Sequence, residues 1–378
     1  MIKSLLAPLI RYIASDDFTL SIKRWYMQTL SRLPLGCFFV RKLYSTPAPK
    51  LELEAFGMKF SSRIGLAAGY DRNGTMIDAM EATGFGFVEV GSITPHAQRS
   101  DSRHSLYKLE GDRALLHCSE IESAGVEQVI KNIKHHNSRI IVGCNIAKGA
   151  LTARENAAID YLRLFRPLYQ YADYFTVNIC CNTAEATYVP RDRDEIMAIL
   201  TPLFEFRRGQ NQYRPILLKI SPDLTDEEID VMTDIMLDTP LDGIVACGGT
   251  TGRYGLDNSK STMHALGRIP GALCGKPLKE RSLEVVRRIH ERAKGTYPII
   301  GCGGISTPDD ALAMLEAGAT LVQIGTEYIY GGGKSVRNIR AGLNERLRKA
   351  EQRAAQEAKA TTENNENNDY SNNHNHWR

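Results

Sequence analysis

Hydrophobic positions along this chain fall into two alternating patterns. Short apolar runs occur at 64–67, 87–91, 140–145, 174–179, 216–220, 243–247, 299–302 and 321–325, with the length and composition of buried strands. Between them lie amphipathic stretches opened by helix-start signals: Ser221-Pro222-Asp223 precedes the helical pattern of 225–237, and Ser306-Thr307-Pro308 precedes that of 309–317. Eight β/α units over roughly 280 residues predict an α/β fold, a parallel (β/α)8 TIM barrel rather than an open doubly wound sheet. Chemistry in such a barrel gathers at the carboxyl ends of the strands. That directs attention to 69–72, Ser92, Asn145, 178–183, Lys219, 247–250, Gly303-Gly304 and Thr326.

The two ends follow different rules. Leu5, Leu6, Leu9, Ile10 and Ile13 recur at helical spacing, and Phe18, Ile22, Trp25, Tyr26 and Leu30 form a second stripe among basic residues. Residues 1–50 carry eight Lys/Arg against Asp16 and Asp17. No apolar run there approaches the roughly 20 residues that span a bilayer. Residues 1–48 therefore predict an amphipathic helical extension, which either lies on an anionic membrane surface or caps the domain behind it. Residues 49–348 form the expected barrel domain. From 349 to 378 the chain is expected to be a disordered tail, Asn-rich toward its end and without apolar periodicity. His374 and His376 could bind a metal, but two histidines in such a tail are usually incidental.

Composition narrows the class further. The chain has 378 residues, 43% hydrophobic and 24% charged, an ordinary globular balance. A net charge of +3 offers no electrostatic signature for nucleic acid. The eight cysteines include no CxxC pair, so reduced thiols are expected and no metal centre is.

Two strand ends suggest an anion. Gly301-Cys302-Gly303-Gly304-Ile305 follows the seventh strand and Gly325-Thr326 follows the eighth, where barrels often bind phosphate on unhindered backbone amides; tight turns alone would use the same residues. Lys219, ending the fifth strand, adds a cation that is costly to bury without an anionic partner. Flavin mononucleotide (FMN) fits both features, with one phosphate and a ring that gains from a nearby positive charge on reduction.

Three segments carry a resemblance. Gly65-Leu66-Ala67-Ala68-Gly69-Tyr70-Asp71-Arg72, the run from Gly84 to Pro95 (GFGFVEVGSITP) and Leu218-Lys219-Ile220-Ser221-Pro222-Asp223-Leu224 resemble the dihydroorotate dehydrogenase family. The amphipathic extension is similar to that of its membrane-associated, quinone-linked class, and the likeness runs in order over roughly residues 1 to 345. The resemblance implies FMN-dependent oxidation of dihydroorotate to orotate in pyrimidine synthesis, electron transfer to a membrane quinone, and a peripheral place on the cytoplasmic face of the membrane, the inner membrane in a bacterium. It also implies flavin contacts at Ala68, Gly69, Ser92, Asn145, Asn178, Lys219, Gly275, Gly304, Gly325 and Thr326. Cys247 replaces a family threonine, Gly325 replaces a tyrosine, and 146–150 depart from the family's IGKNK.

The substrate positions depart more. Where the family uses a lysine, an NRxGF segment, two loop asparagines and an asparagine-threonine pair, this chain has Arg72, His117-Cys118-Ser119-Glu120-Ile121, Asn178 with Thr183, and Gly248-Gly249. Three lost polar contacts at about 1.5 kcal/mol each would lower discrimination on the order of a thousandfold. A carboxylate at Glu120 would repel a substrate carboxylate. Cys181 takes the place of the catalytic base, where a thiolate could abstract the carbon proton; Cys180 and Cys181 could equally be small residues at a strand end. The segment lining the quinone route in the family reads His104-Ser105-Leu106-Tyr107-Lys108. Two functions follow: the family's dehydrogenase, or a diverged relative that keeps the barrel for another substrate or for a binding or structural role.

Overall fold

The apolar runs become the strands of a single closed barrel. This computed structural model describes residues 15–33, 35–99, 106–118, 121–180, 190–256 and 271–374. In chain order the strands are β1 (Leu53–Ala55), β2 (Met58–Phe60), β3 (Ile64–Leu66), β4 (Phe87–Ile93), β5 (Leu106–Leu109), β6 (Ala114–His117) and β7 (Ile141–Ile146), then β8 (Tyr174–Asn178), β9 (Ile216–Ile220), β10 (Gly243–Ala246), β11 (Ala272–Gly275), β12 (Ile299–Cys302) and β13 (Leu321–Ile324). β3, β4, β7, β8, β9, β10, β12 and β13 close the barrel in that order, every pair parallel. Helices cover the outside, so a strand such as β9 is buried on both faces; this is why these strands read as continuous apolar runs rather than alternating ones.

Strand alternation sorts the inward side chains into layers. Phe87, Tyr174, Leu217, Val245, Ile300 and Leu321 pack together with Phe60 of the β1–β2 hairpin, and the Phe60 and Phe87 rings meet edge to face at 5.4 Å. The large rings fit because glycine stands opposite them. A Cβ at Gly65 would lie 2.3 Å from the Phe87 ring, and one at Gly143 2.1 Å from the Tyr174 ring. Two residues further along the same strands the inward positions become Glu89, Thr176, Lys219 and Gln323, all buried. A polar layer thus lies on an apolar plug.

Two elements escaped the sequence reading. The β1–β2 hairpin is one; the other is the antiparallel sheet β5–β6–β11, assembled from the segments after β4 and β10. Each of its strands has four residues, too few to show a period.

The amino-terminal segment is a helical pair, α1 (Asp16–Arg32) and α2 (Gly36–Tyr44). Ser15 caps α1 by accepting from the Phe18 amide. Asp16 and Asp17 accept from the backbone N–H groups of Lys108 and Leu106 at 2.8 and 3.3 Å, satisfying the free edge of β5. Leu20 and Met27 are buried, while Ile22, Trp25 and Tyr26 of the expected stripe stay exposed. One face of the pair therefore caps the barrel and the other stays open to solvent. The first expected stripe, Leu5 to Ile13, lies outside the described residues. Among the described residues no helix is long and apolar enough to cross a membrane.

The structure corrects the expected tail. The last helix runs Thr326–His374 with one non-helical residue, Gly332, carrying helix through most of 349–378. The reason is intrinsic propensity: 345–359 is almost entirely Glu, Arg, Lys, Gln, Ala and Leu, strong helix formers that need no apolar face. Glu345 pairs with Arg348 and Lys349 at 2.7 and 3.5 Å one turn on.

Candidate active site

A cavity of about 280 Å³ opens at the carboxyl ends of the strands. Its lining includes Ala68, Gly69, Ser92, Asn178, Lys219, Gly275, Gly304, Gly325 and Thr326, and also Arg72, His117, Gly248 and Gly249. Asn145 does not line it. It is fully buried one step behind, accepting from the Ser92 hydroxyl at 2.5 Å and donating to Glu89 at 2.8 Å; Asn178 donates to the same Ser92 hydroxyl at 2.9 Å. The Asn145 side chain thus holds Ser92 and Glu89 in place behind the cavity wall. Cys181 and Thr183 lie outside the described residues, as does Glu120.

Backbone builds one end. Gly303 and Gly304 have φ of +121° and +73°, and a Cβ at Gly304 would fall 2.5 Å from the Lys279 backbone, so only glycine makes this turn. The amides of Gly303, Gly304 and Gly325 have no acceptor among the described residues. The helix starting at Thr326 adds its positive end. Four nearby features thus favour an anion.

Polar side chains line the floor. The Lys219 ammonium lies 4.0 Å from Glu89. Burial by itself would lower its pKa, but the Coulombic attraction of its neighbours, the Glu89 carboxylate among them, holds it raised. Gln323 donates to Glu89 at 2.7 Å, while its side-chain oxygen is buried without a partner. An unsatisfied acceptor in a cavity wall is what a ligand N–H would complete. With the glycine cradle, the buried cation and this acceptor, the residues present fit a phosphorylated flavin.

The other end is made of side chains that hold one another. Arg72 pairs with Glu122, and its guanidinium lies 3.1 Å from the His117 ring nitrogen. Burial, with the Arg24 cation beside it, lowers the Arg72 pKa. Gly248 and Gly249 face sulfur: a Cβ at Gly248 would lie 3.2 Å from Cys180 Sγ, and one at Gly249 2.8 Å from Cys274 Sγ. The thiols fill the space that larger residues would need. Burial pushes Cys274 up to about 11 and raises Cys247 and Cys302 as well, so these three remain thiols near neutral pH. Cys180 donates to the Lys219 carbonyl at 3.1 Å.

Sequence reading missed Glu89, Gln323, Arg113 and Glu122. For Glu89 and Gln323 a signal existed: each is the lone polar residue in an apolar run, Phe87-Val88-Glu89-Val90 and Leu321-Val322-Gln323-Ile324. Arg113 and Glu122 arrive from segments after β4, and Arg113 reaches the lining with its guanidinium on Glu327 at 2.5 Å. Toward α1 the cavity is walled by Leu20, Leu106, Leu115 and Ile329. There Arg24 donates to the Gly69 carbonyl at 2.7 Å and lies over the Tyr70 ring.

Relatives agree with this architecture. The sequence model of the family described as dihydroorotate dehydrogenase matches residues 50–347. A dihydroorotate dehydrogenase (quinone) from Christiangramia forsetii is 33% identical over 92% of this chain and 99% of its own length. Another of that name, from Thermosynechococcus vestitus, is 38% identical over 86% and 89%. Among solved structures, DHODH from Eimeria tenella in complex with ferulenol superposes with a TM-score of 0.78 at 27% identity, covering 88% of this chain and 92% of that one. The chain belongs to the dihydroorotate dehydrogenase family, in its quinone-linked class.

Proposed function

We propose that this chain binds FMN in the barrel mouth, oxidises dihydroorotate to orotate and passes the electrons to a membrane quinone. The observation that carries this reading is the continuity of the cavity: one space is lined by Gly304 and Thr326 at one end and by Leu20 and Arg24 of α1 at the other. A cofactor held on the cradle would thus be reachable both from the substrate side and from the helical pair.

The roles divide by position. Gly303, Gly304, Gly325 and Thr326 hold the phosphate, while Ala68, Gly69, Ser92, Asn178, Gly275 and Lys219 surround the ring. A flavin held there would supply two-electron redox chemistry between substrate and quinone. Lys219 supplies the positive charge that favours the reduced state. Cys181, next in the chain after the cavity-lining Cys180, takes the proton from the substrate carbon. Arg72 and His117 face the substrate carboxylate, Asn178 and Thr183 its amide edge, and Gly248 with Gly249 leaves room beside it. Residues 1–48 act as the membrane-facing extension: Trp25, Phe38, Phe39 and Leu43 are exposed among Arg32, Arg41 and Lys42, a composition suited to the anionic cytoplasmic face.

A second reading has its own observation. Sulfur fills the space beside Gly248 and Gly249, and Arg72 is already paired with Glu122, so the pocket also suits a substrate with fewer polar edges than dihydroorotate. The visible spectrum under anaerobic dihydroorotate separates the two. Yellow protein that bleaches supports the dehydrogenase; yellow protein that stays coloured supports another substrate; protein that is colourless and takes up no added FMN defeats the flavin reading itself.

A further inference from the structure

Glu89 is a fully buried charge beneath the cavity floor. It is 0% exposed and sits on β4, yet it gathers side chains from four other barrel strands. Asn145 of β7 donates to it at 2.8 Å, Thr176 and Tyr174 of β8 at 3.0 and 3.3 Å, and Gln323 of β13 at 2.7 Å. Lys219 of β9 stands 4.0 Å away. Two amide N–H groups and two hydroxyls satisfy an ionised carboxylate without any partner from solvent. Of Glu89's neighbours, Lys219, Gln323 and, through Asn145, Ser92 belong to the cavity wall.

We propose that Glu89 is a positioning residue that sets the positive charge Lys219 presents to the cavity, and through it the reduction potential of the flavin bound there. The inference rests on the flavin reading above. A carboxylate behind the ammonium partly cancels its field toward the cavity, while keeping the buried cation tolerable. A reduced flavin carries more negative charge than an oxidised one, so it feels that field more strongly. Replacing Glu89 with a neutral isostere removes the cancellation, and the reduced form gains.

Redox titration of the FMN-loaded protein tests this. Glu89→Gln is expected to favour the reduced over the oxidised flavin about tenfold, a rise of about 30 mV for a two-electron couple. In a Lys219→Met background the same substitution is expected to move the potential by less, the remainder being the field of the lost carboxylate itself, because no ammonium is left for Glu89 to hold back from the cavity. Glu89→Asp withdraws the carboxylate by one methylene and should raise the potential by a smaller step; it serves alone if Glu89→Gln fails to fold. An unmoved potential in a variant that holds FMN overturns the inference, even if its melting temperature falls, because that is the mark of a purely structural residue. Equal shifts in both backgrounds also overturn it. Wild-type protein that takes up no FMN removes the flavin reading, and this inference with it.

Discussion

The two ends of the cavity are made of different material. At the ends of β12 and β13 the surface is backbone: amides of Gly303, Gly304 and Gly325 and the start of the Thr326 helix. Toward β6 and β10 it is side chain: Arg72 on Glu122, His117 beside Arg72, and sulfur against Gly248 and Gly249. A backbone site survives any substitution that leaves the turn intact, because every residue but proline brings the same amide. A side-chain site changes with each substitution, and its members then pair with one another. The anion end therefore depends on the turn alone, and the opposite end on each of its side chains.

The sharpest break of this contrast is at the base. Cys181→Ala is expected to lower turnover by about 10²–10⁴, the usual contribution of a positioned base, with FMN content unchanged; Cys181→Ser should recover part of it. Cys180→Ala should keep most activity, since its thiol is engaged with the Lys219 carbonyl. Stopped-flow bleaching of bound FMN reads both. Equal losses from Cys180→Ala and Cys181→Ala would move the base one residue back.

At the backbone end, Gly304→Val puts a branched side chain where Lys279 backbone lies 2.5 Å from the first carbon. FMN affinity should fall on the order of a hundredfold, about 3 kcal/mol, with the overpacking strain and lost amides acting together. Fluorescence titration of apoprotein measures it. Retention of wild-type affinity would mean that the phosphate sits elsewhere.

At the side-chain end the effects are smaller and coupled. Gly248→Asn with Gly249→Thr, introduced to supply polar edges for dihydroorotate, should destabilise the fold by about 1–3 kcal/mol because the new carbons meet Cys180 and Cys274. Adding Cys180→Ala and Cys274→Ala should relieve most of that, giving a coupling energy of about 1 kcal/mol or more between neighbours in contact. Denaturant midpoints show whether the four positions are independent. Independence would break the claim that sulfur holds the vacated space.

Legibility in the sequence followed the same division. The eight barrel strands were readable because each is buried on both faces and so appears as an apolar run. Gly303, Gly304 and Gly325 were readable as a candidate anion site because they follow the seventh and eighth strands, where barrels often bind phosphate. The β5–β6–β11 sheet was not, since its pairing depends on segments more than 150 residues apart, His117 opposite Ala272 among them. Glu89 stands in plain view in an apolar strand, but one carboxylate reads the same whether it faces a helix, solvent or a lysine. The match between Gly248 and Cys180 exists only in space.

In the helical pair, two faces of one element can be set against each other. Leu20 is 4% exposed and lines the cavity, whereas Trp25 and Phe39 are 64% and 62% exposed. Leu20→Ala removes buried carbon and should lower stability by about 2–5 kcal/mol. Trp25→Ser with Phe39→Ser removes side chains already in water, so the melting transition should stay within about 0.5 kcal/mol of wild type. Vesicle binding should respond the other way. Each aromatic transferred to a bilayer interface is worth about 1.5–3 kcal/mol, so the double variant should partition at least tenfold less onto vesicles containing anionic lipid, and Leu20→Ala should partition as wild type. Loss of stability in the double variant, with vesicle binding intact, would make the exposed face a packing surface for protein rather than for lipid.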